Sequence, residues 1–531
     1  MWVMGMGAVL RLWGLTAHPF NFDECFTAAI GTLPFLKMLW MTAVVDASPP
    51  AAYIPVYIWE HLFGGAEISL RFFSWSVGML GILLTYLLAL RISGSRRVAC
   101  LSALLIILPP ILVRHSIQIC KHNANLPLVV LSWWLFLKVC SPITAKNFFK
   151  SRWVWAYMLA TTYFLYVEPI SFIAPATQGL YWLLMRQTFA PLQAKRIFML
   201  LAALGVCFMP VVWLYLQPWH ASHFPEFQNI YGPVGGLDML LYTPVNLFLA
   251  GQFEQSLPLD QPMVWVYGLA GGLLFFLSFR SLFLNMPKSV VYATLCIGIV
   301  PMVLLYLLAL LMQLNFFQHR AMLFCTFSLA FVVACYADTL LTHKRRYLAV
   351  SMVLLTVAFQ FYGRMVDPMS RFDIGYKYLA ETVKMYAESG DGFVVYPGRR
   401  HLAWMRYFNP AESGFTQHDL NFDYKTENFW FKLVHRLDEH HFFVSGQTLL
   451  NRPDIKEAFQ QFQKNHQRIW VISESPEHLE PLMSCGPVFL FPDMRGVAWE
   501  VRCPSTHPDH CVRPLGKAAW RCPNRQVNTG L

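Results

Sequence analysis

The sequence predicts a polytopic helical membrane protein with about eleven transmembrane helices and a separate C-terminal α/β domain. Of the 531 residues, 56% are apolar, 16% are aromatic and only 13% are charged, which is too few charges for a soluble chain. The mean hydropathy is +0.42. From about Gly363 the composition becomes that of an ordinary globular domain, long enough to bury its own core.

Apolar runs mark the candidate spans, because a helix of about 20 residues crosses a bilayer core about 30 Å thick. The runs begin near Trp2, Leu70, Val98, Leu126, Trp153, Ile170, Ile197, Met263, Ser289, Ala321 and Tyr347. The first run is short and contains Arg11, so either it is not a full span or the native start lies upstream. It lacks the charged start and the cleavage site of a signal peptide.

The positions of Lys and Arg predict the orientation of these spans. With a cytoplasmic N-terminus, every second connection should carry the basic excess. Those connections hold Arg91, Arg96, Arg97; Lys138, Lys146, Lys150, Arg152; Arg186, Lys195, Arg196; Arg280, Lys288; and Lys344, Arg345, Arg346. An odd number of spans then places residues 363–531 outside the cytoplasm, in the periplasm or the extracellular space. The sequence thus predicts a multi-pass protein of the inner (plasma) membrane, although an endoplasmic reticulum membrane would give the same topology.

The net charge of +11 does not predict nucleic-acid binding, because the basic residues stand in short clusters between apolar runs. In the C-terminal domain, three apolar segments are typical of short buried strands with helices between them: Asp391 to Pro397, Arg468 to Glu474 and Pro487 to Phe491. The late cysteines are expected to form one or two disulfides, with soft metal ligation as the alternative; they are Cys485, Cys503, Cys511 and Cys522.

An adjacent pair of acids, Asp23 and Glu24, follows the first apolar run. Carboxylates are scarce in this chain, so a pair at the membrane surface indicates a place where a lipid headgroup and a soluble acceptor meet. A carboxylate there can take a proton from an acceptor hydroxyl as it attacks a sugar carbon. The alternative is that both are solvated loop residues.

The same predicted outer loop, about residues 17–69, holds further polar candidates. Asp46 precedes the pair Pro49-Pro50, which forces an extended turn. Glu67 and Arg71 have the i,i+4 spacing of a helical pair, so Arg71 is either a substrate contact or half of a structural ion pair.

Cationic and polar side chains also gather at two later span ends on the same predicted side. They are Arg114, His115, Gln118, Lys121 and His122 in the first group, and His319 and Arg320 in the second. Cations in such positions suit a phosphate. The alternative is that they only extend to the bilayer interface.

These motifs, in this order, resemble the GT-C superfamily, which includes the protein O-mannosyltransferases and the aminoarabinose transferase that modifies lipid A. "FDE" at Asp23-Glu24 is similar to the acidic motif of the first loop, and the pattern from Asp46 to Arg71 is similar to the next signature. "SIQICKHNAN" is similar to the opening of the fourth span, and "QHRAMLF" to that of a late span. The sequence departs from many relatives at Ser48, Asn125 and His122, which bears on donor-phosphate contacts and on sugar or lipid preference.

The resemblance implies a GT-C-like transmembrane catalytic domain over residues 1–362 and a soluble extracytoplasmic α/β domain over residues 363–531. It implies transfer of a sugar from a polyprenyl-phosphate donor to a lipid, glycan or protein acceptor, with inversion at the anomeric carbon. In this hypothesis Asp23 is the general base, Glu24 orients it or the acceptor, and Lys121, Arg71 and Arg320 stabilise the polyprenyl phosphate.

The remaining substrate-binding candidates are Asp46, Gln118, His122 and His319. No cofactor is predicted; a divalent ion held by Asp23 or Glu24 stays open as an alternative, without a confirming ligand set. Two other functions stay open: a transporter or lipid flippase, which predicts broken helices at mid-membrane, and an envelope assembly protein.

Overall fold

The computed structural model describes residues 2–12, 15, 19–44, 49–141, 148–215, 236–250, 262–312, 319–366, 375–387, 389–396, 401–409, 441–443, 457, 461–462, 465–466, 469–473, 488–492 and 498–502. The chain divides into two compact units. The membrane unit comprises Met1–Ala17 and Pro34–Ser370, and the C-terminal unit comprises His18–Leu33 and Arg371–Leu531. The segment that carries Asp23 and Glu24 therefore belongs to the C-terminal unit, although the sequence predicts it as part of the transmembrane domain.

The described helices of the membrane unit account for most of its length. They are α1 (Trp2–Leu12), α3 (Phe35–Val44), α4 (Ile54–Phe63), α5 (Glu67–Ser93), α6 (Arg96–Leu105), α7 (Pro110–Ile117), α8 (Asn125–Val139), α9 (Arg152–Leu165), α10 (Ile173–Met185), α11 (Pro191–Tyr215), α12 (Leu237–Val245), α13 (Pro262–Asn285), α14 (Lys288–Ile297), α15 (Ile299–Met312), α16 (Cys325–Thr342) and α17 (Arg346–Val366). Helix α2 (Phe22–Gly31) lies in the C-terminal unit. Short 3-10 turns precede α8 and α10, at Lys121–Ala124 and Pro169–Phe172.

Six helical segments of the described chain are long and apolar enough to cross a membrane: α5, α11, α13, α14 with α15, α16 and α17. A seventh results if α6 and α7, which are bent by 71°, form one broken span. Helices α1, α8, α9 and α10 begin near predicted spans but contain only 11, 15, 14 and 13 residues. The predicted number of about eleven spans therefore stays a prediction.

The break between α6 and α7 follows from Pro109 and Pro110, because proline has no N–H to continue the helical ladder. The carbonyl of Leu105, whose helical donor would have been Pro109, accepts instead from Nε2 of Gln360 at 3.1 Å. The same nitrogen donates to the carbonyl of Phe248 at 3.0 Å, inside a π-helical turn that follows α12. Helix α17 thus satisfies backbone groups at two irregular points of the bundle.

Polar side chains connect three neighbouring helices inside the membrane unit. Tyr157 donates to Gln178 at 2.5 Å, Gln178 donates to Ser132 at 2.9 Å, and Ser132 shares a hydrogen bond with Thr161 at 2.8 Å. All four residues are buried. The network joins α8, α9 and α10, so that each polar group in this apolar environment has a partner.

The C-terminal unit contains a mixed five-stranded sheet. Its strands are β1 (Gly392–Tyr396), β2 (His441–Phe443), β3 (Ile469–Ser473), β4 (Val488–Pro492) and β5 (Ala498–Arg502), and its helices include α18 (Gly375–Tyr386) and α19 (His401–Phe408). The strand order is β2-β1-β3-β5-β4, parallel at β1 with β2 and β3, and antiparallel at β5. Strands β1, β3 and β4 lie at the three segments that the sequence predicts as strands. The four late cysteines lie outside the described residues.

Helix α2 packs against α19 within this unit. The backbone N–H of Phe20 donates to the Tyr407 hydroxyl at 2.5 Å, and the guanidinium of Arg406 lies 4.5 Å from the centre of the Phe20 ring. These contacts attach the chain just before Asp23 to the helix that follows β1.

Candidate active site

The two acids of the first loop stand in the first turn of α2, but their surroundings differ. Asn21 is the N-cap: its side chain accepts from the backbone N–H of Glu24 at 2.8 Å. In return, Oε2 of Glu24 accepts from the backbone N–H of Asn21 at 3.0 Å, which completes a capping box. Glu24 is only 1% exposed, whereas Asp23 is exposed. The buried acid therefore holds the helix start, whereas the other acid is exposed.

A second group of charged residues lies in the membrane unit, on the first turns of α5, on α7 and on the 3-10 turn before α8. Arg71, Arg114, His115 and His122 are all buried, and Lys121 is half-buried. Nη1 of Arg71 donates to the carbonyl of Leu15 at 3.0 Å. So many buried cationic and imidazole side chains need compensating acceptors or anions, since burying a charge or a polar group is costly.

Glu168 supplies one such anion. Its carboxylate oxygen Oε1 lies 2.7 Å from Nδ1 of His122, and Glu168 itself is 3% exposed. Burial alone would raise the pKa of Glu168, but the charge and hydrogen bond of His122 and the charges of Lys121 and Arg320 outweigh it, so the pKa is lowered. Glu168 therefore carries its negative charge among these cations, outside the candidate spans.

The 3-10 turn that carries Lys121 and His122 is held from two sides. Nδ2 of Asn123 donates to the carbonyl of Ser74 on α5 at 2.8 Å, and His122 pairs with Glu168. The rings of His115 and His122 are 6.1 Å apart, centre to centre. We call one group of residues the cationic cluster: His115, Lys121, His122, Glu168 and Arg320. Arg320 is included because its charge is close enough to Glu168 to lower the pKa of that carboxyl.

An apolar cavity of about 220 Å³ is lined in part by residues close in sequence to Glu168. Leu165 and Phe172, which flank Glu168, both line it. The other lining residues come from α10 and α11: Pro175, Ala176, Leu201, Leu204, Gly205 and Phe208. The cavity is therefore built from the helix end before Glu168 and from the two helices after it.

The structure groups some predicted site residues and leaves others undescribed. Lys121, His122 and Arg320 come together around Glu168. Gln118 is the C-cap residue of α7, three residues before Lys121. Asp46 lies outside the described residues, as does the side chain of His319. Among the described residues, no group of three or more His, Cys, Asp or Glu side chains could hold a metal ion.

Glu168 is the residue that the sequence analysis missed. It is the only acidic residue between Glu67 and Glu226. A lone carboxylate in so long an apolar region, directly before a proline at the end of a predicted span, is the signal that could have identified it.

Comparison with solved structures defines the fold: the chain has the fold of ArnT, over nearly the whole length of both chains. ArnT from Cupriavidus metallidurans bound to undecaprenyl phosphate matches with a TM-score of 0.59 and 12% identity, over 97% of this chain and 99% of that one. ArnT in the apo state matches with a TM-score of 0.56 and 13% identity, over 94% of this chain and 97% of that one. At these identities the likeness concerns the fold.

Comparison of the sequence with known proteins gives weaker evidence than comparison of the structures. No family model matches the chain. An uncharacterized protein from Aquifex aeolicus (strain VF5) is 29% identical over 198 residues. That match spans 37% of this chain and only 38% of the Aquifex protein.

Proposed function

We propose that the protein is a glycosyltransferase that moves a sugar from a polyprenyl-phosphate-linked donor to an acceptor outside the cytoplasm. The observation that carries this proposal is the cationic cluster in the membrane unit of a chain with the fold of ArnT. The ArnT structure is bound to undecaprenyl phosphate, which supports a donor of the same chemical class.

In this proposal Arg71 and the cationic side chains of the cationic cluster bind the phosphate of the donor. When the bond between the sugar and the phosphate breaks, negative charge develops on the leaving phosphate. Lys121, Arg71 and Arg320 stabilise that charge, because preorganised cations in a water-poor site act without reorganising during the reaction. His122 and Gln118 contribute further hydrogen bonds to the same group.

In this proposal the apolar cavity described above holds part of the polyprenyl chain. An engineered cavity of roughly 150 Å³ in another protein binds benzene, so the available volume suits a segment of hydrocarbon. The cavity walls consist of apolar side chains and one glycine, which favours a lipid over a polar ligand.

Asp23 acts as the general base. Its carboxylate takes the proton of the acceptor hydroxyl while the hydroxyl oxygen forms a bond to the anomeric carbon. The bond from that carbon to the phosphate oxygen breaks, and the polyprenyl phosphate leaves with the electron pair. Glu24 holds the first turn of α2 and so fixes the position from which Asp23 acts.

A lipid flippase is the second candidate, because α6 and α7 form a bent helix pair of the kind that transporters use. It would move the lipid across the bilayer without breaking the bond to the sugar. Transfer of label from lipid to acceptor or water separates the two functions.

The test is transfer of radiolabelled sugar from a panel of polyprenyl-phosphate sugars by the purified full-length protein in lipid. Asp23→Asn should lower the rate by about 10²–10⁴-fold, the usual contribution of a general base. Asp238→Asn is the matched control, since Asp238 is also exposed and also lies in the first turn of a helix. Near-normal transfer by Asp23→Asn would show that the base is another residue.

Lys121→Ala tests the phosphate-binding role separately and should also lower transfer severely. If the wild-type protein moves a fluorescent polyprenyl phosphate across vesicle membranes but transfers no sugar from any donor in the panel, the flippase is the better function.

A further inference from the structure

We propose that Glu168 is a positioning residue that holds His122 through Nδ1 and thereby presents the opposite ring nitrogen, Nε2, to the donor phosphate. This inference rests on the proposed function and adds to it a residue that neither the sequence motifs nor the fold comparison assigns. It follows from the geometry of one buried ion pair.

The pair is unusual for its place in the chain. Glu168 is the only acidic residue over the long apolar stretch between Glu67 and Glu226, and it is almost completely buried. A carboxylate in such surroundings is expensive unless it is paired, and it usually marks a functional position. Its partner at 2.7 Å is His122, which directly follows the proposed phosphate ligand Lys121.

The backbone on both sides of the pair is fixed. Glu168 has the extended conformation that a following proline requires, with φ −138° and ψ 141°, and its carbonyl accepts from the N–H of Ser171 at 3.1 Å. On the other side, Asn123 attaches the turn of His122 to α5. Glu168 can therefore set the orientation of the imidazole ring without moving itself.

The contact with Glu168 matters because a histidine ring has two nitrogens that can form hydrogen bonds. When Nδ1 donates to a carboxylate, the ring has one remaining polar atom, Nε2. Oε1 of Glu168 lies 2.7 Å from Nδ1, and the side chain of His122 is 11% exposed. An imidazolium ring donates from both nitrogens, so a ring held through Nδ1 can donate from Nε2 to a phosphate oxygen.

Glu168 is not itself a phosphate ligand in this arrangement, because two anions would repel each other. It acts through His122. This relationship makes a specific prediction: once His122 can no longer donate, changing Glu168 should cost little more.

The experiment measures binding of undecaprenyl phosphate to the full-length protein in nanodiscs. Glu168→Gln should weaken binding by roughly tenfold or more, the value of one charge-assisted hydrogen bond. His122→Gln should weaken it similarly, and the double variant should be no weaker than His122→Gln alone. Asp338→Asn is the control, since Asp338 is another carboxylate of the membrane unit, near the far end of α16.

Additive losses in the double variant, or wild-type affinity in Glu168→Gln, would overturn the positioning role. In the transfer assay, Glu168→Gln should raise the KM for the donor and leave the KM for the acceptor unchanged. A purely structural role would change neither KM and would lower only the amount of folded enzyme.

If Glu168→Gln does not fold, Glu168→Asp replaces it, because a side chain shorter by one methylene keeps the charge but retracts it from Nδ1. The same selective rise in donor KM is expected, and an equal rise for the acceptor would refute the inference. Failure of wild-type protein to bind undecaprenyl phosphate would instead refute the proposed function, and the positioning role with it.

Discussion

The capping box of α2 allows a test that separates the role of Glu24 from that of Asp23. Glu24 is buried and accepts a hydrogen bond from the N–H of Asn21, whereas Asp23 is exposed. Glutamine can replace glutamate in a capping box, because its side-chain oxygen accepts the same bond. Glu24→Gln should therefore keep most of the sugar transfer, whereas Asp23→Asn should lose it.

The magnitude follows from that single bond. A hydrogen bond to a charged group contributes about 1.5–3 kcal/mol and a neutral one about 0.5–1.5 kcal/mol, so Glu24→Gln should cost about 1 kcal/mol. Glu24→Ala removes the acceptor entirely and should cost the full charged value, about 1.5–3 kcal/mol. Hydrogen–deuterium exchange of the peptide from Asn21 to Gly31 measures this local opening directly.

We expect the exchange rate of that peptide to rise by roughly fivefold in Glu24→Gln and by more than tenfold in Glu24→Ala, since about 1.4 kcal/mol is a factor of ten. Asp23→Asn should leave exchange close to the wild-type rate while abolishing transfer. If Glu24→Gln loses transfer as completely as Asp23→Asn at wild-type exchange, then the charge of Glu24 takes part in the chemistry, and the structural assignment is wrong.

Three further predictions concern the membrane unit. Because the pKa of Glu168 is lowered in the folded chain, its ionisation stabilises the fold above the ordinary value of 4.5 and loses this effect as the pH falls; the difference in melting temperature between wild type and Glu168→Gln should shrink below pH 4.5. Gly205→Phe should fill the apolar cavity and raise the donor KM several-fold. Gly272→Phe is the control and should leave the donor KM unchanged, since at both helical glycines an added Cβ would meet no atom within 4 Å. Equal donor KM values for the two variants would show that the cavity holds no lipid. Gln178→Leu breaks the network between α8, α9 and α10 and should cost about 1 kcal/mol in a denaturation assay, with unchanged transfer per folded molecule; an unchanged midpoint would contradict a stabilising network.

Much of the helical layout follows from local sequence. Apolar runs locate the starts of α5, α13 and α17 to within a few residues, and the adjacent prolines Pro109 and Pro110 account for the end of α6. The capping box of α2 is also local, because Asn21 and Glu24 have its spacing. All of these features depend on neighbours along the chain, although only the helix starts are among the predictions of the sequence analysis.

The candidate site depends on contacts between distant residues, and these were harder to predict. His122 and Glu168 meet because two separate turns pack together. Neither turn contains a sequence pattern that indicates which residue it will contact. The grouping of His18–Leu33 with the C-terminal unit likewise arises from packing on α19. The apolar helix that begins at Leu237 and continues to Ala250 is a further feature that the sequence analysis does not predict, since none of its apolar runs begins between Ile197 and Met263.

The two hydrogen bonds of Gln360 have a consequence for how the chain is made. The carbonyls of Leu105 and Phe248 are synthesised early, but the side chain that satisfies both belongs to α17, the last described helix of the membrane unit. Lipid offers no donor to a carbonyl released by a helix break. Until α17 leaves the ribosome and docks, both irregular points stay uncapped, so a chain that stops before residue 346 should be recognised by membrane quality control even though every earlier helix is complete.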